Sequence, residues 1–162
     1  GVDFAKSVGF PETIVIDSGH AAGIRLRDYR DFGDPRSNKN ALLVECGQHW
    51  RRQTGDMAWT VLLGFLKATG LADQAFLDAQ GFAPPSSAQK VVRVTDVVTV
   101  TSDSFTFSEP FQGMERIAQA GTVIGHDGTV EVTTPYDDCA LVMPSHKARK
   151  GQTAVRLGRV VT

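Results

Sequence analysis

The residues best suited to chemistry lie in one short stretch, 40–50, which reads Asn-Ala-Leu-Leu-Val-Glu-Cys-Gly-Gln-His-Trp. The run Ala41–Glu45 is apolar on both faces up to its last residue, as expected of a buried strand in a mostly parallel sheet. Glu45 ends the run and Gly47 follows it. Because ligands bind at the carboxyl ends of such strands, Glu45 is predicted to lie partly desolvated in a cleft and to act as a general base or acid.

Glu45 also has an ordinary structural interpretation, because carboxylates at the edge of a sheet often pair with an arginine or cap a helix. Position alone slightly favours that structural role. Gln48 and His49 border the same predicted cleft, and they would either contact a substrate or order the turn through hydrogen bonds to the backbone. Trp50 is expected to pack against the rest of the fold.

Four side chains in or near this stretch are chemically acceptable zinc ligands, namely His20, Glu45, Cys46 and His49. Glu45 and His49 are four residues apart, but Gly47 interrupts any helix that would place them on one face. The sequence therefore predicts no metal ligand supplied by this chain, and histidines that are hydrogen-bonded or solvated.

A basic segment precedes the predicted strand and contains Arg25, Arg27 and Arg30, with Tyr29 among them. Arginine binds a carboxylate through two parallel hydrogen bonds, so this segment could hold an anionic substrate. Charged loop residues are more often only solvated. The residues alone leave both alternatives open.

The elements that must position these side chains are of two kinds. Residues 1–80 predict mixed helix and strand: a short helix over 2–8, a β-branched strand at 13–17, the strand ending at Glu45, and a helical turn at 74–79. A Pro-Pro-Ser-Ser break lies at 84–87, so 81–90 is predicted to be a linker.

One amphipathic helix is predicted directly after the candidate site. Thr54 or Asp56 would cap its start and Gly70 would follow its end. Its apolar residues recur at helical spacing and are Met57, Ala58, Val61, Leu62, Phe65 and Leu66.

Residues 91–162 predict strands alone, and the overall class is therefore α+β. Ser102-Asp103 marks a reversal, and Asp127-Gly128 is a strong hairpin signal. Six short strands punctuated by glycine and proline indicate a small all-β barrel or sandwich. The predicted strands are a pair within 91–107 and single strands at 121–125, 129–134, 141–143 and 153–157.

Composition excludes several functions. The chain has 162 residues, a net charge of −1 and 41% hydrophobic side chains, with no basic patch for nucleic acid. No apolar run approaches the ~20 residues of a membrane span, and no signal peptide is recognisable. Two distant cysteines are too few for a disulfide framework and are expected to be reduced core residues. These features predict a cytoplasmic protein.

The segment Leu43–Gln48 resembles the strand-Glu-x-Gly segment of the succinylglutamate desuccinylase/aspartoacylase family. The surroundings are similar in order to bacterial members. An Ile-Asp-Ser-Gly-His-Ala-Ala-Gly unit at 16–23 precedes it, and an amphipathic helix follows it. The all-β tail ends with two further similar segments, Val-Met-Pro-Ser-His at 142–146 and Gly-Gln-Thr-Ala-Val-Arg-Leu-Gly-Arg at 151–159. The resemblance spans nearly the whole chain.

The resemblance implies a carboxypeptidase-like α/β fold, of which residues 1–80 would be the C-terminal part, with an appended β domain. It implies zinc-dependent hydrolysis of the amide bond of an N-acyl amino acid. Glu45 would activate the attacking water and later protonate the leaving amine. Arg27 and Tyr29 would bind the anionic substrate, with Gln48 and His49 beside them.

Two family features are missing, the His-x-x-Glu zinc pair and an Asp-Leu-Asn-Arg segment. We therefore expect zinc to be bound by a segment absent from this chain, which alone would be inactive. A sheet without its neighbours exposes apolar edges, so a homo-oligomer is also expected. The alternative is a non-catalytic, β-rich binding or assembly module.

Overall fold

The protein is described by a computed structural model that covers residues 1–18 and 24–161. The chain divides into two compact units. The first comprises residues 1–14 and the described residues of 20–90; the second comprises the described residues of 15–19 and of 91–162.

The first unit is built on three helices, α1 (Val2–Val8), α2 (Arg52–Ala68) and α3 (Gln74–Ala79). Helices α1 and α2 approach closely because Gly64 has no side chain: a Cβ atom there would lie 2.4 Å from the Val8 carbonyl oxygen. Phe4 and Phe65 add an edge-to-face contact with ring centroids 5.3 Å apart. All three predicted helices are confirmed.

The predicted start of α2 is wrong in detail. The residue that caps it is Arg51, with no side-chain capping hydrogen bond, rather than Thr54 or Asp56. At the other end Thr69 is the C-cap, and Gly70 follows with a positive φ of 69°, which suits glycine. Helix α3 has a side-chain cap, because the Asp73 carboxylate accepts a hydrogen bond from the Phe76 amide at 2.8 Å.

The segment before α2 contains only two single-turn 3-10 helices, Leu26–Asp28 and Arg30–Phe32. The predicted strand at 41–45 is wrong, since these residues have no regular secondary structure and Leu43 is 62% exposed. A strand needs a neighbour for its backbone N–H and C=O groups, and none of the described strands pairs with this one. The parallel sheet expected in the first half is therefore not formed by the residues described.

The strands are β1 (Thr13–Ile16), β2 (Lys90–Thr99), β3 (Phe105–Phe107), β4 (Arg116–Ile117), β5 (Val123–Asp127), β6 (Val130–Thr133), β7 (Cys139–Val142) and β8 (Thr153–Val160). Sequence predicted all of them except β4. They form a five-stranded sheet in the order β1-β2-β8-β7-β4 and a three-stranded sheet in the order β3-β5-β6. Strand β1 thus joins the β-rich sheet instead of pairing with residues 41–45.

The core of the second unit lies where side chains from both sheets meet. Ile124 of β5 packs with Leu141 of β7 and with Val155 and Leu157 of β8, and all four are almost completely buried. Of the two predicted architectures, the closed barrel is not formed among the described residues, which make two separate sheets. The predicted mixture of helices followed by strands is confirmed.

The predicted hairpin joins β5 to β6, with Gly128 at a φ of 64°. Asp127, beside it, accepts hydrogen bonds from the hydroxyl and amide groups of both Thr101 and Ser102. The Ser102 hydroxyl is the largest of the influences that hold the pKa of Asp127 well below its usual range, followed by the Thr101 hydroxyl and amide. This carboxylate fastens the hairpin to the turn after β2.

Candidate functional site

Glu45 lies in an extended segment that leads into helix α2. Its side chain is exposed, which corrects the prediction of a partly desolvated carboxylate at the end of a strand. Gln48 and His49, three and four residues further on, are exposed as well. Trp50 was expected to pack but is 81% exposed. The predicted catalytic residue and two predicted substrate contacts therefore share one accessible segment.

The segment is fastened to the first turn of α2 through the backbone of Gln48. Its carbonyl oxygen accepts hydrogen bonds from the Thr54 hydroxyl at 2.7 Å and from the Arg51 amide at 3.0 Å. The Thr54 amide in turn donates to the Arg51 carbonyl at 3.1 Å. These bonds fix the orientation of Gln48 and His49 relative to the start of helix α2.

Gly47 is required by the same arrangement for two reasons. Its φ is +116°, a conformation that residues with a side chain rarely adopt. A Cβ atom at this position would also lie 3.0 Å from the Thr54 hydroxyl oxygen. The glycine of the Glu-x-Gly segment therefore permits the close contact between this segment and helix α2.

The basic segment carries its own carboxylate. Asp28 accepts a 2.6 Å hydrogen bond from Arg25, and Arg27 lies 3.5 Å from its other oxygen. The hydrogen bond from Arg25 is the main reason why the pKa of Asp28 is lowered. Tyr29 stacks with its neighbour Arg30, whose guanidinium carbon is 5.1 Å from the ring centroid. Arg27 and Tyr29 thus belong to a locally ordered segment in which arginine already meets a carboxylate.

The described residues do not fit a zinc ion. Nowhere among residues 1–18 and 24–161 do three His, Cys, Asp or Glu side chains come together as metal ligands would. His20 lies outside the described residues, so its prediction has no structural counterpart. Cys46 is a half-buried free thiol and Cys139 a buried one, so the prediction of a core position holds for Cys139 alone.

Sequence reasoning missed one ion pair in the second unit. The Arg156 Nε atom of β8 lies 2.9 Å from an Asp17 carboxylate oxygen, and both side chains are about 15% exposed. Because the pair is largely shielded from water, removing one partner leaves the other charge poorly compensated. The position of Asp17 directly after the β-branched strand was the one available signal.

Comparison of the fold with solved structures finds similar proteins. The structure of succinylglutamate desuccinylase from Vibrio parahaemolyticus superimposes with a TM-score of 0.60 over 99% of this chain, at 18% sequence identity. The chain has the desuccinylase fold. It spans 44% of the length of that desuccinylase. A second similar structure, succinylglutamate desuccinylase from Vibrio cholerae, covers 67% of this chain with a TM-score of 0.46 and 22% identity.

No family model matches the desuccinylase-like chain, and no curated protein matches it. None of its described helices is both long enough and apolar enough to cross a membrane. The relation to desuccinylases therefore rests on the fold alone.

Proposed function

We propose that this chain is part of a hydrolase that cleaves the amide bond of an N-acyl amino acid, with Glu45 as its general base and acid. The observation that carries the proposal is the desuccinylase fold over 99% of the chain. The accessible Glu-x-Gly segment, fastened to helix α2 through Gln48 and Thr54, supports it.

In this proposal the Glu45 carboxylate takes a proton from the water that attacks the amide carbonyl, and it later gives that proton to the departing amine. Gln48 and His49 contact the acyl amino acid, because they leave the same segment as Glu45. Arg27 and Tyr29 face the substrate carboxylate, which competes with Asp28 for the guanidinium group.

Zinc is the proposed cofactor, and its ligands would come from residues other than those described, which offer no suitable group of three. Zinc would polarise the amide carbonyl and lower the pKa of the attacking water. The direct check is elemental analysis of the purified chain after metal supplementation, beside the full-length protein. About one zinc in the full-length protein and almost none in this chain is the expected result.

The functional test is the change Glu45→Gln in the full-length protein, assayed with zinc on N-succinylglutamate and other N-acyl amino acids. Loss of the proton acceptor should lower kcat by about 10²–10⁴-fold. Glu12→Gln is the matched control, because Glu12 is also an exposed glutamate of the first unit. Full activity of the Glu45→Gln protein would contradict the catalytic role of Glu45. Absence of hydrolysis by the parent protein itself would favour a binding or assembly module.

We also propose that the chain forms a homo-oligomer. Three large apolar side chains of the first unit are well exposed: Ile24 at 76%, Leu43 at 62% and Trp50 at 81%. Exposed apolar surface of this kind often marks an interface. Sedimentation velocity over a range of protein concentrations should show self-association, and a single monomeric species throughout would disprove it.

A further inference from the structure

Two arginines of the second unit lie directly opposite each other. Arg93 of β2 and Arg159 of β8 are Cα partners in the antiparallel register, and both side chains are exposed. Opposite residues of an antiparallel pair point to the same face with Cβ atoms about 5 Å apart, where like charges are destabilising. This arrangement becomes favourable when a negatively charged group lies between the two guanidinium groups.

Arg159 is held in position by its neighbours. Its guanidinium carbon lies 3.6 Å from the centroid of the Tyr136 ring. The Tyr136 hydroxyl is hydrogen-bonded to the Thr95 hydroxyl, which also donates to the Leu157 carbonyl at 3.2 Å. The Tyr136 ring thus covers one face of the guanidinium group. Among the described residues, no side-chain hydrogen bond or ion pair occupies its N–H edge.

A β-bulge explains why Thr95 can reach Tyr136. The register pairs Val94 with Gly158 and Asp96 with Leu157, so Thr95 is an extra residue without a partner across the strands. Bulges redirect side chains and are frequent beside functional sites. Here the bulge directs the Thr95 hydroxyl to Tyr136 and so supports the ring on which Arg159 stacks.

The carboxylates near Tyr136 that the structure describes lie outside ion-pair distance of these two arginines. Asp137 accepts a hydrogen bond from a backbone amide at 2.8 Å, and Asp138 forms an ion pair with an arginine of β4. Asp96 is the remaining carboxylate near Tyr136. Within residues 1–18 and 24–161, neither Arg93 nor Arg159 forms an ion pair with it or with any other carboxylate.

We propose that Arg93 and Arg159 form a binding site for an oxoanion, that is, a carboxylate or phosphate group of a ligand. The planar guanidinium group of Arg159 binds two oxygens through parallel N–H donors while its face remains stacked on Tyr136. Arg93 supplies the second positive charge from the opposite strand. The site lies within the second unit and does not depend on the proposed hydrolase activity.

The test is NMR titration of this chain with inorganic phosphate and, separately, with succinate, at an ionic strength kept constant with sodium chloride. The expected result is a saturable shift of the Arg93 and Arg159 side-chain Nε–H signals with at least one anion. The anion that binds more tightly identifies the preferred group. Either change, Arg93→Gln or Arg159→Gln, should weaken binding by at least about tenfold.

Matched variants separate the site from general charge. Arg116→Gln removes an arginine that is paired with Asp138, and it should leave binding unchanged. Tyr136→Phe keeps the stacking ring and should retain binding, whereas Tyr136→Leu should lose it. Where Arg159→Gln fails to fold, Arg93→Gln gives the same test at an exposed position. The proposal is overturned if neither anion gives a saturable shift, or if the shift persists in both arginine variants.

Discussion

The attachment of the candidate site to helix α2 can be tested by the change Thr54→Val. Valine keeps the branched shape of threonine and removes the hydroxyl that donates to the Gln48 carbonyl at 2.7 Å. That carbonyl still accepts the Arg51 amide at 3.0 Å, so it is not left without a partner. The expected loss is therefore that of one neutral hydrogen bond, about 1 kcal/mol, and not the larger penalty of an unsatisfied buried group.

This loss should fall on local opening of the segment more than on global unfolding, because exposed segments open at lower free energy than the core. A change of about 1 kcal/mol corresponds to roughly fivefold faster exchange of amides that are protected only by the closed segment. The amide of Arg51 is the best reporter, since it donates to the same Gln48 carbonyl. Native-state hydrogen exchange measured by NMR gives its rate directly.

Thr60→Val is the matched control on the same helix. The Thr60 hydroxyl donates to the Asp56 carbonyl at 2.9 Å, which is a bond within the helix and away from the candidate site. Its removal should leave the exchange of the Arg51 amide unchanged. Equal exchange rates in the parent and in Thr54→Val, or equal acceleration by both changes, would refute the role assigned to the Thr54 hydroxyl.

Three further predictions concern other parts of the chain. Gly47→Ala should lower the free energy of unfolding by about 1–3 kcal/mol, because the backbone of Gly47 has a positive φ. Gly55→Ala, in open space within α2, should raise that free energy by up to about 1 kcal/mol. Urea denaturation measures both changes. Hydroxyl and amide donors hold the pKa of Asp127 well below its usual range. The Asp127 carboxylate therefore stabilises the fold fully above its unfolded pKa, near 4, and less as the pH falls further. The stability deficit of Asp127→Asn should accordingly be full at neutral pH and shrink in acid. The half-buried Cys46 should react with a thiol reagent such as DTNB in the folded chain, while Cys139 should react only on unfolding, since burial raises the pKa of its thiol.

Local patterns predicted most of the fold. The apolar residues of α2 recur at helical spacing, and Asp127-Gly128 has the residue types that a tight hairpin demands, so both features depend on a few adjacent residues. Strand β4 was missed because two residues, Arg116 and Ile117, are too short to show alternation. Its pairing with β7 is decided by residues distant in sequence.

The strand predicted at 41–45 shows the limit of such patterns. An apolar run indicates that a segment is suited to burial, but it does not state which strand will pair with it. Among the described residues no strand pairs with 41–45, and Glu45 and Leu43 are exposed. The exposure of Glu45 could thus not be predicted from the apolar run, and its catalytic role stays a prediction.

The role of Thr54 was hidden for a different reason. A threonine just before an apolar helical pattern is typical of a helix cap, and the sequence predicts that role for Thr54 or Asp56. In the structure its hydroxyl is directed backwards to the carbonyl of Gln48. Both arrangements use the same side chain near the same helix end, so only the actual start of α2 at Arg52 distinguishes them.

This difference bears on how an exposed segment could be accurate enough for chemistry. Segments without regular secondary structure position side chains well only when they are fixed to a rigid element. Helix α2 is such an element, because Val61 and Leu63 are buried and Gly64 permits close contact with α1. The bonds to Gln48 transmit that rigidity to the segment carrying Glu45. The first turn of α2 therefore contributes to the proposed catalysis by positioning the segment that carries the carboxylate.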